Sequence, residues 1–143
     1  MTRTGRKRER YRTARGVLVR QQRILLAVHS SFAGSRHRRW GLPGGRIEWR
    51  ETPAVALARE LREELDLDLE EATLQDIGAF HYKRALHKVF ATRVDQDVTN
   101  YDDFELLDLA WFDEGEVRQL AEDNELHAGY ELEALQRAMR VLA

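Results

Sequence analysis

The chain has 143 residues, the size of one domain that can bury a core without metal or disulfide staples. It contains no cysteine, which excludes a disulfide scaffold, a thiolate zinc site and a cysteine nucleophile together. The formal net charge of −2 hides an uneven distribution, basic before Arg50 and acidic after it, so whole-chain charge says little about partners.

Residues 3–15 are rich in Arg and Lys, with Glu9 the lone acid and Tyr11 the only aromatic. Such a run suits RNA or substrate phosphates, or else a solvated tail, and residues 1–13 are read as that tail ahead of a single domain at 14–143. It lacks the apolar run of a signal peptide. No stretch approaches the ~20 apolar residues that span a bilayer, so a cytoplasmic protein without a membrane partner is expected.

Ala14 to Arg20 and Arg23 to Val28 are β-rich runs flanking Gln21-Gln22, the pattern of a hairpin. Ser30 to Arg39 is a polar loop whose Arg36, His37, Arg38 and Arg39 either face phosphates or are solvated. Trp40-Gly41-Leu42-Pro43-Gly44-Gly45 follows, a turn that can pack tightly and present backbone amides. Thr52 as N-cap and Pro53 as first helical residue then open a helix. Its apolar stripe is Ala54, Leu57, Ala58, Leu61 and Leu65. Glu60, Glu63 and Glu64 fall on a different face, within an arc of roughly 100°. Crowded carboxylates favour a bound hard cation, and a solvated acidic face flanked by Arg59 and Arg62 is the alternative.

Beyond the helix, Ala72 to Tyr82 and Lys88 to Val94 read as strands joined by Lys83 to His87. His81 and His87 could meet across that hairpin, but without a third ligand they read as exposed strand histidines. Asp95 to Asp103 is an acidic loop, and Phe104 to Phe112 a strand-like run containing Glu105. Glu114 to Glu122 and Tyr130 to Leu142 read as helices, the second with a core stripe of Leu132, Leu135, Met139 and Leu142.

The order Gly45, Glu51, Arg59-Glu60-Leu61, Glu63-Glu64 and Leu67 resembles the Nudix box, G-x5-E-x7-R-E-U-x-E-E-x-G-U with U aliphatic, and WGLPGG resembles its usual lead-in. Two positions depart from the family pattern. Asp66 stands for the final glycine, and Arg50 occupies a position where glycine is usual. The resemblance implies an α/β fold, an α/β/α sandwich around a central mixed β-sheet. It also implies metal-dependent hydrolysis of a nucleoside diphosphate linked to another moiety.

By position in the motif, Glu60, Glu63 and Glu64 match the ligands of Mg2+ or Mn2+, and Arg59 the arginine that orients the neighbouring acids. Gly44 and Gly45 match the substrate loop, and Glu51 a structural acid at the loop-helix junction. In mutator-type members an acid placed like Glu105 lies beside the metal, so Glu105 is a further catalytic candidate. Glu63, Glu64 and Glu105 remain open as the general base. The only prolines are Pro43 and Pro53, so the proline that marks ADP-ribose hydrolases is missing, as are the NADH and coenzyme-A signatures. A nucleoside triphosphate or a nucleoside diphosphate sugar is the expected small-molecule partner. RNA 5′ ends, a non-catalytic nucleotide sensor and a homodimer are the alternatives kept open. Trp40, Trp49, Trp111, Phe80 and Tyr82 are candidates for base stacking, with core packing the plainer reading.

Overall fold

A computed structural model describes residues 10–30 and 38–143. The basic run before Arg10 and the loop segment with Arg36 and His37 lie outside the described residues. The chain forms β1 (Tyr11–Arg20), β2 (Arg23–His29), β3 (Gly44–Arg46), α1 (Pro53–Leu65), a 3-10 turn (Glu71–Thr73), β4 (Gln75–Tyr82), β5 (Ala85–Arg93), β6 (Leu106–Phe112), α2 (Glu114–Glu122) and α3 (Glu131–Val141). No helix of the described residues is long and apolar enough to cross a membrane.

The sheet runs in the order β4-β5-β1-β2-β6, with β3 added to β1. It is mixed, because β1 and β5 are parallel while the β1/β2, β4/β5, β2/β6 and β1/β3 pairs are antiparallel. Strand alternation divides its residues between two cores. Ala14, Leu18, Leu25, Ala27 and Phe90 pack with Leu57, Leu61 and Leu65 of α1. Val17, Val19, Ile24, Leu26, Val89 and Ala91 pack on the other face with Val117 of α2 and Ala134, Leu135 and Ala138 of α3. This is the expected α/β/α sandwich.

Helix α1 follows local rules at both ends. The Thr52 hydroxyl accepts from the Val55 N–H at 3.2 Å, and Pro53 is the first helical residue. Asp66 ends the helix in the left-handed region (φ 54°, ψ 36°), so the residue replacing glycine takes the glycine conformation. Arg50 does the same at φ 69°.

Several boundaries differ from the sequence reading. Strand β1 begins at Tyr11, inside the segment read as tail, because Tyr11 pairs with Leu86 of β5. The β4/β5 connection is a two-residue turn at Lys83-Arg84, with φ of 49° and 62°, so β5 starts at Ala85. That turn lacks the Asn or Gly that normally signals two left-handed residues. Residues 71–73 form a 3-10 turn instead of the start of a strand, and β6 starts at Leu106. Phe104 is 87% exposed, in a turn where Asp102 Oδ1 accepts its N–H at 2.9 Å.

Gly44 sets the position of β3. Its φ is +136°, and a Cβ there would stand 2.2 Å from the Ala14 carbonyl oxygen and 2.9 Å from Arg15 Cα, both immobile backbone atoms. Gly44→Ala is therefore expected to destabilise the fold by about 2 kcal/mol or more in urea denaturation. Asp66→Gly, which relieves a left-handed non-glycine, is expected to raise stability by about 1 kcal/mol in the same assay.

Candidate active site

The Arg59 guanidinium joins the elements around the cleft. Its Nε and Nη2 donate to the two oxygens of Glu51 at 2.6 and 2.9 Å, and Nη2 also donates to the Arg46 carbonyl at 3.0 Å. Its Nη1 donates to Glu60 at 3.0 Å and to Glu63 at 3.1 Å. The hydrogen bond from Arg59 holds the Glu51 carboxyl below its usual pKa, and Glu51 first and then Glu60 raise that of Arg59. Glu51 Oε1 accepts the Glu48 N–H at 2.8 Å as well, so this acid ties the loop to the helix.

The three box glutamates do not share one environment. Glu64 is 5% exposed and Glu60 is half-buried, and both line a cleft of about 380 Å³ with Gly44, Gly45, Arg15, His29 and Glu105. The side chain of Glu63 is 60% exposed, held on the same Arg59 nitrogen as Glu60 but outside the cleft lining. The helical arc places the acids on one side of α1, and packing against β1 and β3 then buries Glu64 and leaves Glu63 outside. Gly45 makes room for Glu60, because a Cβ there would stand 2.6 Å from the Glu60 carboxyl carbon.

Burial raises the Glu60 pKa, against the pull of Arg59. Burial first, and then the neighbouring charges of Glu60 and Glu105, push Glu64 up to about 8, with Arg15 opposing. Glu64 Oε2 lies 3.8 Å from His29 Nδ1. His29 is itself driven down to about 3 by burial and by Arg15, so this contact joins an uncharged imidazole to an acid and is not an ion pair.

Arg15 forms the floor. Its Nη1 donates to the carbonyls of Gly44 and Leu42 at 3.0 and 3.4 Å, and its Nε to the Thr13 hydroxyl at 3.3 Å. Burial lowers its pKa, while Tyr130, Glu64, Glu60 and Glu131 act to keep it charged. The wall beyond it is aromatic. His87 Nδ1 is 2.6 Å from the Thr13 hydroxyl, and its ring lies 6.0 Å from Tyr82 and 6.3 Å from Tyr130. His127 lies 5.1 Å from Tyr82 and is lowered to about 4, first by burial and then by Arg15.

Of this wall, sequence reasoning named Tyr82 and missed His87, His127 and Tyr130. His87, for which the sequence predicts an exposed strand position, is buried, since its pairing with Phe80 turns it inward, whereas His81 is exposed. Arg15 carried a usable signal, because alternation places Thr13 and Arg15 on the same side of β1 as the core residues Val17 and Val19. His127 and Tyr130 come from a connection that has no periodicity. Among the other aromatics, Trp40 packs edge-on against Phe112 at 4.9 Å and Phe80 stacks on Tyr130 at 4.9 Å. Trp111 donates to Asp97, and Trp49 is 84% exposed. Arg38, from the basic loop, donates to the Leu107 carbonyl and lies 3.5 Å from Asp108.

The site fits a hard divalent cation on one specific ground. Glu64 Oε1 is buried and, among the described residues, has no hydrogen-bond partner, beside a second carboxylate, Glu60. An acceptor-only oxygen in that position requires a cation or a proton. No group of three Asp, Glu or His side chains among the described residues forms a ready metal cage. One or two carboxylates completed by water and substrate phosphate is the usual mode for Mg2+.

Residues 10–132 match the family model described as NUDIX domain. A 43-residue segment, 30% of the chain, is 46% identical to an 8-oxo-dGTP diphosphatase of Proteus vulgaris, and spans 38% of that relative's length. The structure resembles that of a MutT NUDIX hydrolase from Burkholderia pseudomallei, with TM-score 0.70, 25% identity, and 90% of this chain and 98% of that one covered. It also resembles the NUDIX domain of Shewanella oneidensis NrtR, solved with ADP ribose, with TM-score 0.71, 19% identity, and coverage of 96% and 90%.

Gly45→Ala is expected to leave the thermal midpoint close to wild type while displacing Glu60, with a fall in turnover of roughly 10²-fold for a shift near 1 Å. A second expectation concerns acid stability. His127 has a folded-state pKa below the ordinary 6.5, so the unfolded chain takes up the proton first. Its contribution is present above about pH 6.5 and is lost as pH falls toward about 4. His127→Gln should flatten the decline in urea stability across that window relative to wild type, and an unchanged slope would contradict the assignment.

Proposed function

The chain belongs to the Nudix family, and from that premise we propose that it hydrolyses a phosphoanhydride bond in a nucleoside diphosphate linked to a further group, with a nucleoside triphosphate or a nucleoside diphosphate sugar as substrate. One observation carries the reading. Two carboxylates from α1, one with a buried oxygen that has no hydrogen-bond partner among the described residues, face a cleft beside the Gly44-Gly45 turn and the Arg15 guanidinium.

Glu60 and Glu64 would hold Mg2+ or Mn2+ from within the cleft and Glu63 from beside Arg59. That cation would offset the pyrophosphate charge and lower the pKa of water. The residues around it have separable tasks. Arg59 fixes Glu60 and Glu63 relative to the loop. Arg15 keeps the glycine turn in place and sets a positive charge below the phosphates. Water adds to one phosphorus, the bridging P–O bond breaks, and the leaving phosphate departs as an anion. With Glu60 and Glu64 committed to the cation, Glu105 is the remaining carboxylate of the cleft lining among the described residues and takes the water's proton.

The wall of Tyr82, His87, His127 and Tyr130 is suited to the nucleoside. Burial keeps His87 and His127 uncharged near neutral pH, and with its two nitrogens held by the Thr13 hydroxyl and the Tyr82 carbonyl, His87 has its ring face left for a heterocycle. Because a 43-residue segment is similar to an 8-oxo-dGTP diphosphatase, oxidised and ordinary nucleoside triphosphates come first in a substrate panel.

Phosphate and pyrophosphate release across nucleoside triphosphates and nucleoside diphosphate sugars, with Mg2+ or Mn2+, tests this reading. Glu64→Gln should reduce turnover by about 10²–10³-fold, Glu105→Gln should reduce kcat with little change in KM, and Glu63→Gln should have the mildest effect. Tight nucleotide binding with no turnover anywhere in the panel would favour the sensor instead.

A further inference from the structure

Glu131 is 1% exposed and lies outside the cleft lining. Its carboxylate turns back along the chain. Oε2 accepts the Ala128 N–H at 2.9 Å and Oε1 the Gly129 N–H at 2.7 Å, so both oxygens serve the connection between α2 and α3. Burial raises its pKa, opposed by the Ala128, Glu131 and Gly129 N–H groups and by Arg15. A side chain whose only duty was to start α3 would satisfy N–H groups of the first helical turn, whereas Ala128 and Gly129 precede the helix.

The carboxylate holds the part of the connection that faces the cleft. Upstream, backbone bonds fix the chain: the Trp40 N–H donates to the Glu125 carbonyl at 2.9 Å and the His127 N–H to the Trp40 carbonyl at 2.7 Å. Downstream, the Tyr130 carbonyl accepts the Ala134 N–H at 2.9 Å as α3 begins. Between these anchors Gly129 takes a φ of +103°, and a Cβ there would meet nothing within 4 Å, so glycine serves conformation and not space. The N–H groups of this hook go to Glu131. The hook sets His127 5.1 Å from Tyr82 and stacks Tyr130 on Phe80 at 4.9 Å, and His127 and Tyr130 both line the cleft.

We infer that Glu131 is a positioning residue for substrate binding: its carboxylate, bonded to Ala128 and Gly129, holds His127 and Tyr130 where they receive the nucleoside. The inference rests on the reading of the aromatic wall as the nucleoside's place. Glu131 then gives the cleft two separately held parts. The phosphates meet α1 and the glycine turn, which Arg59 and Arg15 hold, and the nucleoside meets a hook with its own anchor.

The test compares the full chain with Glu131→Gln, which keeps one acceptor and turns a donor toward a backbone N–H. The constants kcat and KM are measured on the nucleoside triphosphate that wild type turns over fastest. Affinity for inorganic tripolyphosphate, which has the anhydride but no nucleoside, is measured with Mg2+ by calorimetry. The expected result is a rise in KM of at least about tenfold with kcat within about twofold, and an unchanged tripolyphosphate affinity. A residue that only stabilises α3 would lower the thermal midpoint without moving KM. Gly129→Ala strains the same hook from an open position, should raise KM in the same way, and decides the outcome if Glu131→Gln does not fold. An unchanged KM, a fall in kcat alone, or an equal loss of nucleotide and tripolyphosphate affinity would each overturn the inference. If wild type turns nothing over, the same variants are read by nucleotide affinity against tripolyphosphate affinity. A selective loss for nucleotide then upholds the role of Glu131 while the hydrolytic reading falls, and an unchanged nucleotide affinity overturns it.

Discussion

The Arg59 guanidinium is the contact on which the rest of the site depends. Five donors reach two oxygens of Glu51, a backbone carbonyl of β3, and one oxygen each of Glu60 and Glu63. Only a planar, permanently charged fork can satisfy acceptors spread over a loop, a strand and a helix at once. The pairing also counters the mutual repulsion of acids on successive turns of α1. The box arginine and its upstream glutamate are thus a structural unit that holds Glu60 and Glu63 in register with the glycine turn.

That turn is fixed from the opposite side by the sheet. Gly44 lies against the Ala14 carbonyl so closely that no side chain fits, and Arg15 donates to the Gly44 carbonyl from the neighbouring position on β1. The same arginine sits within electrostatic reach of Glu60 and Glu64 on one side and Glu131 and Tyr130 on the other. A buried positive charge surrounded by acids keeps the cleft from becoming wholly anionic, which matters where a polyanion must enter. Glu131 is nonetheless occupied structurally, accepting the Ala128 and Gly129 N–H groups at 2.9 and 2.7 Å.

Local rules carried the sequence reading furthest. The cap at Thr52, the proline start at Pro53 and the left-handed stop at Asp66 depend on residues within one helical turn, and each appears as expected. The mixed sheet and helical layers followed from the family resemblance. What was not legible depends on long-range placement. A helical arc groups Glu60, Glu63 and Glu64 but does not say which of them the sheet will bury. The burial of His87 is not legible locally, because its environment is set by Thr13, distant in sequence, and by the register of a hairpin whose Lys83-Arg84 turn carries no glycine or asparagine. Arg15 and His127 belong to no motif, and only the assembled cleft brings them together with the box acids.

On the proposed function, Glu60 and Glu64, joined in one cleft, bind the cation that supports hydrolysis. The most direct measurement is a crystal structure with Mn2+ and a non-hydrolysable nucleoside triphosphate analogue, with the metal located by anomalous scattering. The expected result is an anomalous peak bonded to oxygens of both Glu60 and Glu64, with the phosphates above Arg15. A peak held elsewhere, or a nucleotide bound in the cleft with no metal at these two residues, would contradict it.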